Sequence, residues 1–231
     1  MKENICTIPI NDAFLPMDGC PLCRIHKMLE ESNVEYVVGP AMMEPDVRIA
    51  TNEKGFCHNH FVKMLQSGKK LPNALLLETH LEKIFTELLP SNAKGKPDKK
   101  TLEQLIALKD SCFVCEKIEW GMNHMLQTIF NSWQTDEEFK QLYAKQPFIC
   151  LQHYTLLIKA ALNKGIASKN LAQFYQATAL LAGGYLQSLK ADISHFCTMF
   201  DYRSKNKEWG TSIDALERSV EFLTGEKIKF E

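Results

Sequence analysis

Two short cysteine motifs each occur twice in the chain, in the same order and at nearly the same spacing. Cys-x-x-Cys comes first and Cys-x-x-His second, with 33 residues between the pairs in the first copy and 34 in the second. The first copy consists of Cys20, Cys23, Cys57 and His60, and the second of Cys112, Cys115, Cys150 and His153. The copies are offset by 92 residues at the first pair and by 93 at the second, so the sequence predicts an internal duplication.

The spacing within each pair is that of metal ligands at the start of a helix. Residues i and i+3 lie on one face of a helix, and each pair stands at the start of an apolar pattern with helical period. Two such helix starts, brought together, supply three thiolates and one imidazole, which is a ligand set of structural zinc sites. We therefore expect each copy to close on itself as a metal-pinned helical hairpin, with two zinc ions per chain.

Other interpretations of the eight cysteines remain open at this stage. Without an export signal the thiols should stay reduced, which disfavours a disulfide framework and favours metal binding or thiol chemistry. An iron–sulfur cluster can use three cysteines and one histidine, but the spacings differ from the expected runs. His58 is a second candidate ligand in the first copy, although alignment with His153 selects His60. Cys6 and Cys197 lie outside the repeat, and we interpret them as buried or partly buried structural thiols.

The pattern of apolar residues predicts an all-α protein: duplicated metal-pinned helical hairpin modules plus C-terminal helices. Strand signals are scarce, and 34–38 (VEYVV) is the one candidate strand. Thr101 and Gln104 resemble a capping box at the start of a helix. The stretch from Asn170 to Phe200 is predicted to be a long helix or a kinked pair of helices, with Gly183-Gly184 as the weak point. Helices are predicted over 74–89, 116–133, 170–200 and 211–224, the last closed by Gly225.

The predicted organisation follows the repeat. We expect a first module, a linker, a second module, and a C-terminal turn and helix that pack on the modules, over residues 14–90, 91–100, 101–200 and 201–231, respectively. The linker is predicted from four lysines, one glycine and one proline within ten residues.

Composition excludes some partners. The formal net charge is −1, so no long-range positive field attracts nucleic acid or anionic lipid. The first 16 residues do not resemble a signal peptide, and the longest small and apolar stretch, at 177–186, is far shorter than the roughly 20 residues of a membrane span. We expect a soluble, cytoplasmic protein.

The sequence favours binding over catalysis. It shows no paired carboxylates, no phosphate-binding loop and no nucleophile motif. A metal with four protein ligands has no open position for a substrate. We expect a zinc-binding helical scaffold for a protein or small-molecule partner. The alternatives are a thiol redox switch using the Cys-x-x-Cys pairs and a nucleic-acid-binding zinc protein. Arg203, Lys205, Lys207 and Trp209 could bind an anion, but we interpret the cations as solvated and Trp209 as packing the last helix.

The motifs resemble those of an uncharacterised bacterial protein family with a duplicated Cys-x-x-Cys and Cys-x-x-His pattern and a helical C-terminal part. The resemblance covers about residues 14 to 225, and it implies no activity. The second copy has Phe148 where the first has Gly55, so the turn before Cys150 should differ from the turn before Cys57. The matching segments are CPLC at 20–23, GFCHNH at 55–60, CFVC at 112–115, PFICLQH at 147–153 and DYR at 201–203.

Overall fold

The computed structural model describes residues 5–89, 96, 98–201 and 208–228. Across these residues the chain forms eleven α-helices and no β-strand, which confirms the all-α prediction. The helices are α1 (Ile8–Phe14), α2 (Pro21–Val37), α3 (Pro45–Lys54), α4 (His58–Gln66), α5 (Lys70–Lys83), α6 (Lys99–Lys109), α7 (Phe113–Thr135), α8 (Glu137–Ala144), α9 (Leu151–Ala160), α10 (Ser168–Thr198) and α11 (Ala215–Thr224). Single π-helical turns follow α5 and α9, at Ile84–Leu88 and Ala161–Gly165.

The chain divides into two compact units that do not follow the order of the repeat. The first unit combines Met1–His26 with Asn123–Glu231, and the second is Lys27–Met122. The division falls within α2 and within α7. It differs from the consecutive modules predicted over 14–90 and 101–200. Most of the predicted linker, 91–95 and 97, lies outside the described residues, and its last two lysines already belong to α6.

Stacked aromatic rings form the core of the first unit. Phe14 of α1 contacts Phe139 and Tyr143 of α8, with ring centroids 5.1 and 5.9 Å apart. Phe174 of α10 contacts Tyr143 at 5.7 Å and Trp133 of α7 at 5.2 Å. All five side chains are almost fully buried, and aromatic contacts of this kind add to the free energy gained from burial. This core fixes α7, α8 and α10 around the segment that leads to Cys150.

A second aromatic group packs the last helix, α11, against α10 within the first unit. The rings of Phe148 and Tyr185 stack with centroids 4.2 Å apart, and Phe222 of α11 lies 5.8 Å from Tyr185. The helix ends at Gly225, whose φ of 78° is in the left-handed region that favours glycine. The predicted closure of the last helix by Gly225 is thus confirmed.

The candidate strand at 34–38 is helical, and this prediction was wrong. Val34, Val37 and Val38 are buried, and their spacing places them on one face of α2 and its end. They contribute to the core of the second unit, as do the buried Met64 of α4 and Leu76 of α5. Burial of a helical face outweighs the strand preference of valine.

One prediction about a helix boundary also needs correction. The cap of α6 is Asp98, whose carboxylate accepts hydrogen bonds from the backbone N–H and the hydroxyl of Thr101, at 2.9 and 2.8 Å. Thr101 therefore lies inside the first turn instead of capping it. For the stretch predicted as a long helix or a kinked pair, the structure has the long helix, since α10 is continuous across Gly183-Gly184.

Candidate metal centres

All four cysteine motifs lie at helix N-termini, as the sequence predicts. Cys57 and Cys150 are the N-cap residues of α4 and α9, with nearly identical backbone angles (φ −72°, ψ 163° and φ −67°, ψ 161°). Cys20 and Cys112 directly precede the first residues of α2 and α7. The first N–H groups of a helix have no partner within the helix and carry partial positive charge. Negative sulfur is therefore stabilised at all four positions, and the Cys115 N–H points at the Cys112 sulfur, 3.5 Å away.

The structure collects the eight side chains into two groups of four. Within each group the ligand atoms lie within 4.8 Å of one another. Cluster A is Cys20, Cys23, Cys150 and His153, and cluster B is Cys57, His60, Cys112 and Cys115. Cluster A lies in the first compact unit and cluster B in the second.

This grouping corrects the prediction that each repeat closes on itself. The first-copy pair Cys20 and Cys23 meets the second-copy pair Cys150 and His153, not Cys57 and His60. The remaining two pairs form the other group. The predicted ligand residues are the same eight, but the partners are exchanged between copies.

The length of α7 gives the physical reason for the exchange. Its 23 residues carry the chain about 34 Å away from Cys112 and Cys115. The 8 residues of α8 can return at most about 12 Å of that distance. The six peptide steps from Ala144 to Cys150 would have to be fully extended, at about 21 Å, to cover the remainder. They contain a turn at Lys145 and a bend at Pro147, so the connection is shorter than that, and Cys150 and His153 do not return to the start of α7.

In cluster A the imidazole of His153 stands against three sulfurs. Its Nδ1 lies 3.1 Å from Cys150 Sγ, 3.3 Å from Cys23 Sγ and 3.8 Å from Cys20 Sγ. The sulfurs of Cys23 and Cys150 are 3.6 Å apart. Cys20, Cys150 and His153 are buried, and Cys23 is half-buried.

Cluster B has the same arrangement around His60. The His60 Nδ1 lies 3.2 Å from Cys57 Sγ, 3.3 Å from Cys112 Sγ and 3.4 Å from Cys115 Sγ. Cys57 Sγ and Cys115 Sγ are 3.9 Å apart. The sulfurs in either cluster are too far apart for a disulfide, which needs about 2.05 Å.

Hydrogen bonds alone do not account for these contacts. A ring nitrogen has either one proton or one lone pair, so it makes one good hydrogen bond in the plane of the ring. In both clusters a single Nδ1 faces three sulfurs. A cation at the centre of the four ligand atoms would satisfy all of them at once, so both clusters could hold a metal ion.

The protein groups by themselves favour one thiolate in each cluster, although neighbouring cysteines raise the pKa of Cys23 and burial raises that of Cys115. Burial raises the pKa of the Cys112 thiol, but hydrogen bonds with His60 and with backbone N–H groups outweigh it and lower this pKa to about 6. Hydrogen bonds from Cys20 and Cys23 lower the pKa of Cys150. Burial lowers the pKa of the His153 imidazole, but its hydrogen bonds with Cys150 and Cys20 raise that pKa to about 9. Each cluster thus contains a cysteine whose thiolate form is stabilised, which is the form that binds metal.

The two clusters differ in how they are covered. Gly225 lies over cluster A, where a Cβ at this position would stand 3.5 Å from the sulfurs of both Cys23 and Cys150. In cluster B, Cys115 is exposed and Cys57 is half-buried. Cluster B is therefore the more accessible of the two to solutes.

The turn before each Cys-x-x-His pair differs between the copies, as predicted from Gly55 and Phe148. Gly55 has a φ of 57°, and a Cβ there would meet the imidazole of His80 at 3.0 Å. Its carbonyl accepts a hydrogen bond from the Phe113 N–H at 3.0 Å, which links the two helix starts of cluster B. Phe148 instead stacks on Tyr185. The N-caps that follow have the same conformation despite these different turns.

The other sequence candidates lie outside the clusters. His58 is exposed and lies outside both clusters, and His60 is the histidine that the structure groups with three cysteines in cluster B. Cys6 and Cys197 are exposed instead of buried, which corrects the prediction for them. The Nδ1 of His195 lies 2.9 Å from Ser212 Oγ, and this contact links the end of α10 to the turn before α11. Three of the possible anion-binding residues, Arg203, Lys205 and Lys207, lie outside the described residues.

Sequence reasoning missed two residues beside the clusters. Glu30 of α2 lies 3.2 Å from the His60 Nε2, and the same carboxylate pairs with Lys63. Gly225 approaches the sulfurs of cluster A. Neither residue has a sequence signal that separates it from an ordinary helix-surface glutamate or an ordinary C-terminal helix cap.

The fold and the clusters define an all-helical protein with two groups of cysteine and histidine that could hold metal ions. The model of a family of unknown function (DUF6062) matches residues 1–229, and the chain belongs to that family. The resemblance to an uncharacterised family is thereby confirmed. No curated protein and no solved structure matches the chain. Among the helices that the structure describes, none combines the length and the apolar character needed to cross a membrane.

Proposed function

We propose that the protein binds two zinc ions, one in each cluster, and that the metals hold a helical scaffold whose role is binding and not catalysis. The observation that carries the proposal is the convergence of three sulfurs and one Nδ1 in both clusters. In a tetrahedral zinc site the sulfurs lie about 3.8 Å apart and the sulfurs and nitrogen about 3.5 Å apart, from the usual zinc–ligand bond lengths. The separations of 3.6 Å for Cys23–Cys150 and 3.9 Å for Cys57–Cys115, and the sulfur–nitrogen separations of 3.1–3.8 Å, bracket these values.

The charge of the clusters supports zinc at these positions. Zinc with three thiolates and a neutral imidazole carries a net charge of −1. Two helix N-termini face each cluster and offset that charge: α2 and α9 at cluster A, and α4 and α7 at cluster B. Four protein ligands complete the tetrahedron, so a substrate would find no open position on the metal. A structural role therefore fits better than metal catalysis, and we propose a protein or small molecule as the partner of the scaffold in a reducing, cytoplasmic compartment.

Metal analysis of the purified protein tests the proposal. Protein prepared under reducing conditions and without chelator should contain about two zinc ions per chain by native mass spectrometry and elemental analysis. Iron with the visible absorption of an iron–sulfur cluster would contradict zinc. A folded chain that takes up no metal when zinc is added would contradict metal binding altogether.

A thiol redox switch is the second candidate, and the exposure of Cys115 in cluster B favours it. In such a switch a peroxide takes two electrons from two thiolates. The thiolates become a disulfide, the peroxide takes up two protons and leaves as two molecules of water, and zinc is released. The sulfurs of Cys57 and Cys115, 3.9 Å apart, are near enough to pair after a small movement. Buried cluster A should resist the same oxidant.

We expect limiting hydrogen peroxide to release one zinc per chain before the other, with oxidation mapped to Cys57 and Cys115. The measurement uses a zinc-sensitive dye and peptide mass mapping. A variant with Cys6→Ser and Cys197→Ser removes the two exposed thiols outside the clusters and serves as the control background. Release of both metals at the same peroxide concentration would contradict the switch and leave the scaffold role unchanged.

A further inference from the structure

A carboxylate contacts the imidazole of His60 in cluster B, at the ring nitrogen that does not face the sulfurs. Glu30 Oε1 lies 3.2 Å from His60 Nε2, on the side of the ring opposite the three sulfurs. The Glu30 side chain is 15% exposed and that of His60 is 5% exposed, so water competes little for this contact. The second oxygen of Glu30 pairs with Lys63, which neutralises the carboxylate.

With the proposed metal bound in cluster B, the geometry would fix the tautomer of His60. A neutral imidazole carries one proton, and a ligand nitrogen must present its lone pair. Since Nδ1 faces the sulfurs, the proton belongs on Nε2, where it donates to Glu30. A carboxylate in this position holds the ring in orientation and makes the ligand nitrogen more basic.

Cluster A has a different environment on the same side of its histidine. Within the part of the chain that the structure describes, the hydrogen-bond partners of His153 are the three cysteines of its own cluster. The ring of His26 lies at a centroid distance of 6.4 Å from that of His153. A carboxylate–imidazole contact is thus a property of cluster B.

We propose that Glu30 is a positioning residue for the metal of cluster B: it holds His60 as an Nδ1 ligand through the Nε2 proton, with Lys63 as its counter-ion. This inference rests on the proposed binding of zinc and adds a residue that no cysteine motif contains. Loss of such a partner weakens metal binding about 10- to 100-fold. The effect should fall on cluster B alone.

The test compares E30L and E30Q with the control E35Q in the full chain. Glu35 lies on the same helix as Glu30. Its side chain is 67% exposed, and it pairs with Lys69, which is not a residue of either cluster. Stepwise zinc affinities are measured by competition with a chromophoric chelator. We expect E30L to lower one of the two zinc affinities by about 10- to 100-fold. E30Q should lower the same affinity less, because its amide oxygen still accepts a hydrogen bond from the Nε2–H of His60. E35Q should change neither affinity.

A second readout separates positioning from general stability. In the wild-type protein, nitrogen-15 spectra should show a slowly exchanging proton on His60 Nε2, and E30L should lose it. If E30L binds both metals as tightly as the wild type, or weakens both equally together with the melting temperature, the inference is overturned. If E30L fails to fold, the nearly isosteric E30Q decides by the same two criteria. A wild-type protein without zinc would instead overturn the proposed function.

Discussion

Withdrawal of metal by a strong chelator should unfold most of the protein. We expect a cooperative loss of the helical circular dichroism signal, because the proposed metals would hold together helix starts that are distant in the chain. Cys23 and Cys150, whose sulfurs are 3.6 Å apart, are separated by 127 positions, so their helices have a long loop to close without a metal. Structural zinc contributes about 10–16 kcal/mol to folding, which equals or exceeds the net stability of a typical domain, about 5–15 kcal/mol.

The measurement follows the helical circular dichroism signal during a chelator titration under reducing conditions. Restoring zinc in excess should restore the signal, which distinguishes unfolding from aggregation. Calcium or magnesium at the same concentration is the control, since hard cations prefer oxygen ligands. A chain that keeps its helical signal and melting temperature without metal would show that the aromatic core alone is sufficient.

The arrangement of the two side chains within each motif of the candidate metal sites was predictable from the sequence, for a physical reason. Spacing of i and i+3 at a helix start fixes which two side chains point the same way, and all four pairs lie at helix N-termini as predicted. The repeat favours His60 over His58, and His60 is the histidine that lies with three cysteines in the structure. These features depend on neighbours within one turn of helix, which sequence patterns report directly.

The pairing of the motifs was not predictable from the same information. A duplicated chain can close each copy on itself or exchange partners, and both choices use the same eight residues. The choice depends on the lengths of elements between the motifs, above all on α7, which extends to Thr135. The apolar pattern over 116–133 predicts nearly the full length of α7. It does not predict the short helix α8 that follows. Glu30 was missed because its role depends on the contact between α2 and α4, which no local pattern encodes.

Two double variants should respond in opposite ways if the partners are exchanged between the copies. Cys23→Ser with Cys150→Ser removes two ligands from cluster A and none from cluster B, so the protein should keep one metal and a folded second unit. Cys23→Ser with Cys57→Ser removes one ligand from each cluster. Each site then has three ligands, and we expect both metals to be lost and both units destabilised, since structural zinc sites use four.

The two variants are matched in the number and type of substitutions, so a difference between them reports the grouping and not the loss of cysteine. Cys197→Ser with Cys6→Ser is the control, because both thiols are exposed and outside the clusters, and it should keep both metals. If the variant with Cys23→Ser and Cys57→Ser precipitates, the number of zinc ions bound by the variant with Cys23→Ser and Cys150→Ser still decides between the two groupings.

The most direct measurement is therefore the number of zinc ions per chain in these two double variants, counted by native mass spectrometry. Exchange of partners predicts one zinc with Cys23→Ser and Cys150→Ser, and none with Cys23→Ser and Cys57→Ser. The reverse result, none in the first and one in the second, would contradict it and return each metal to a single copy of the repeat.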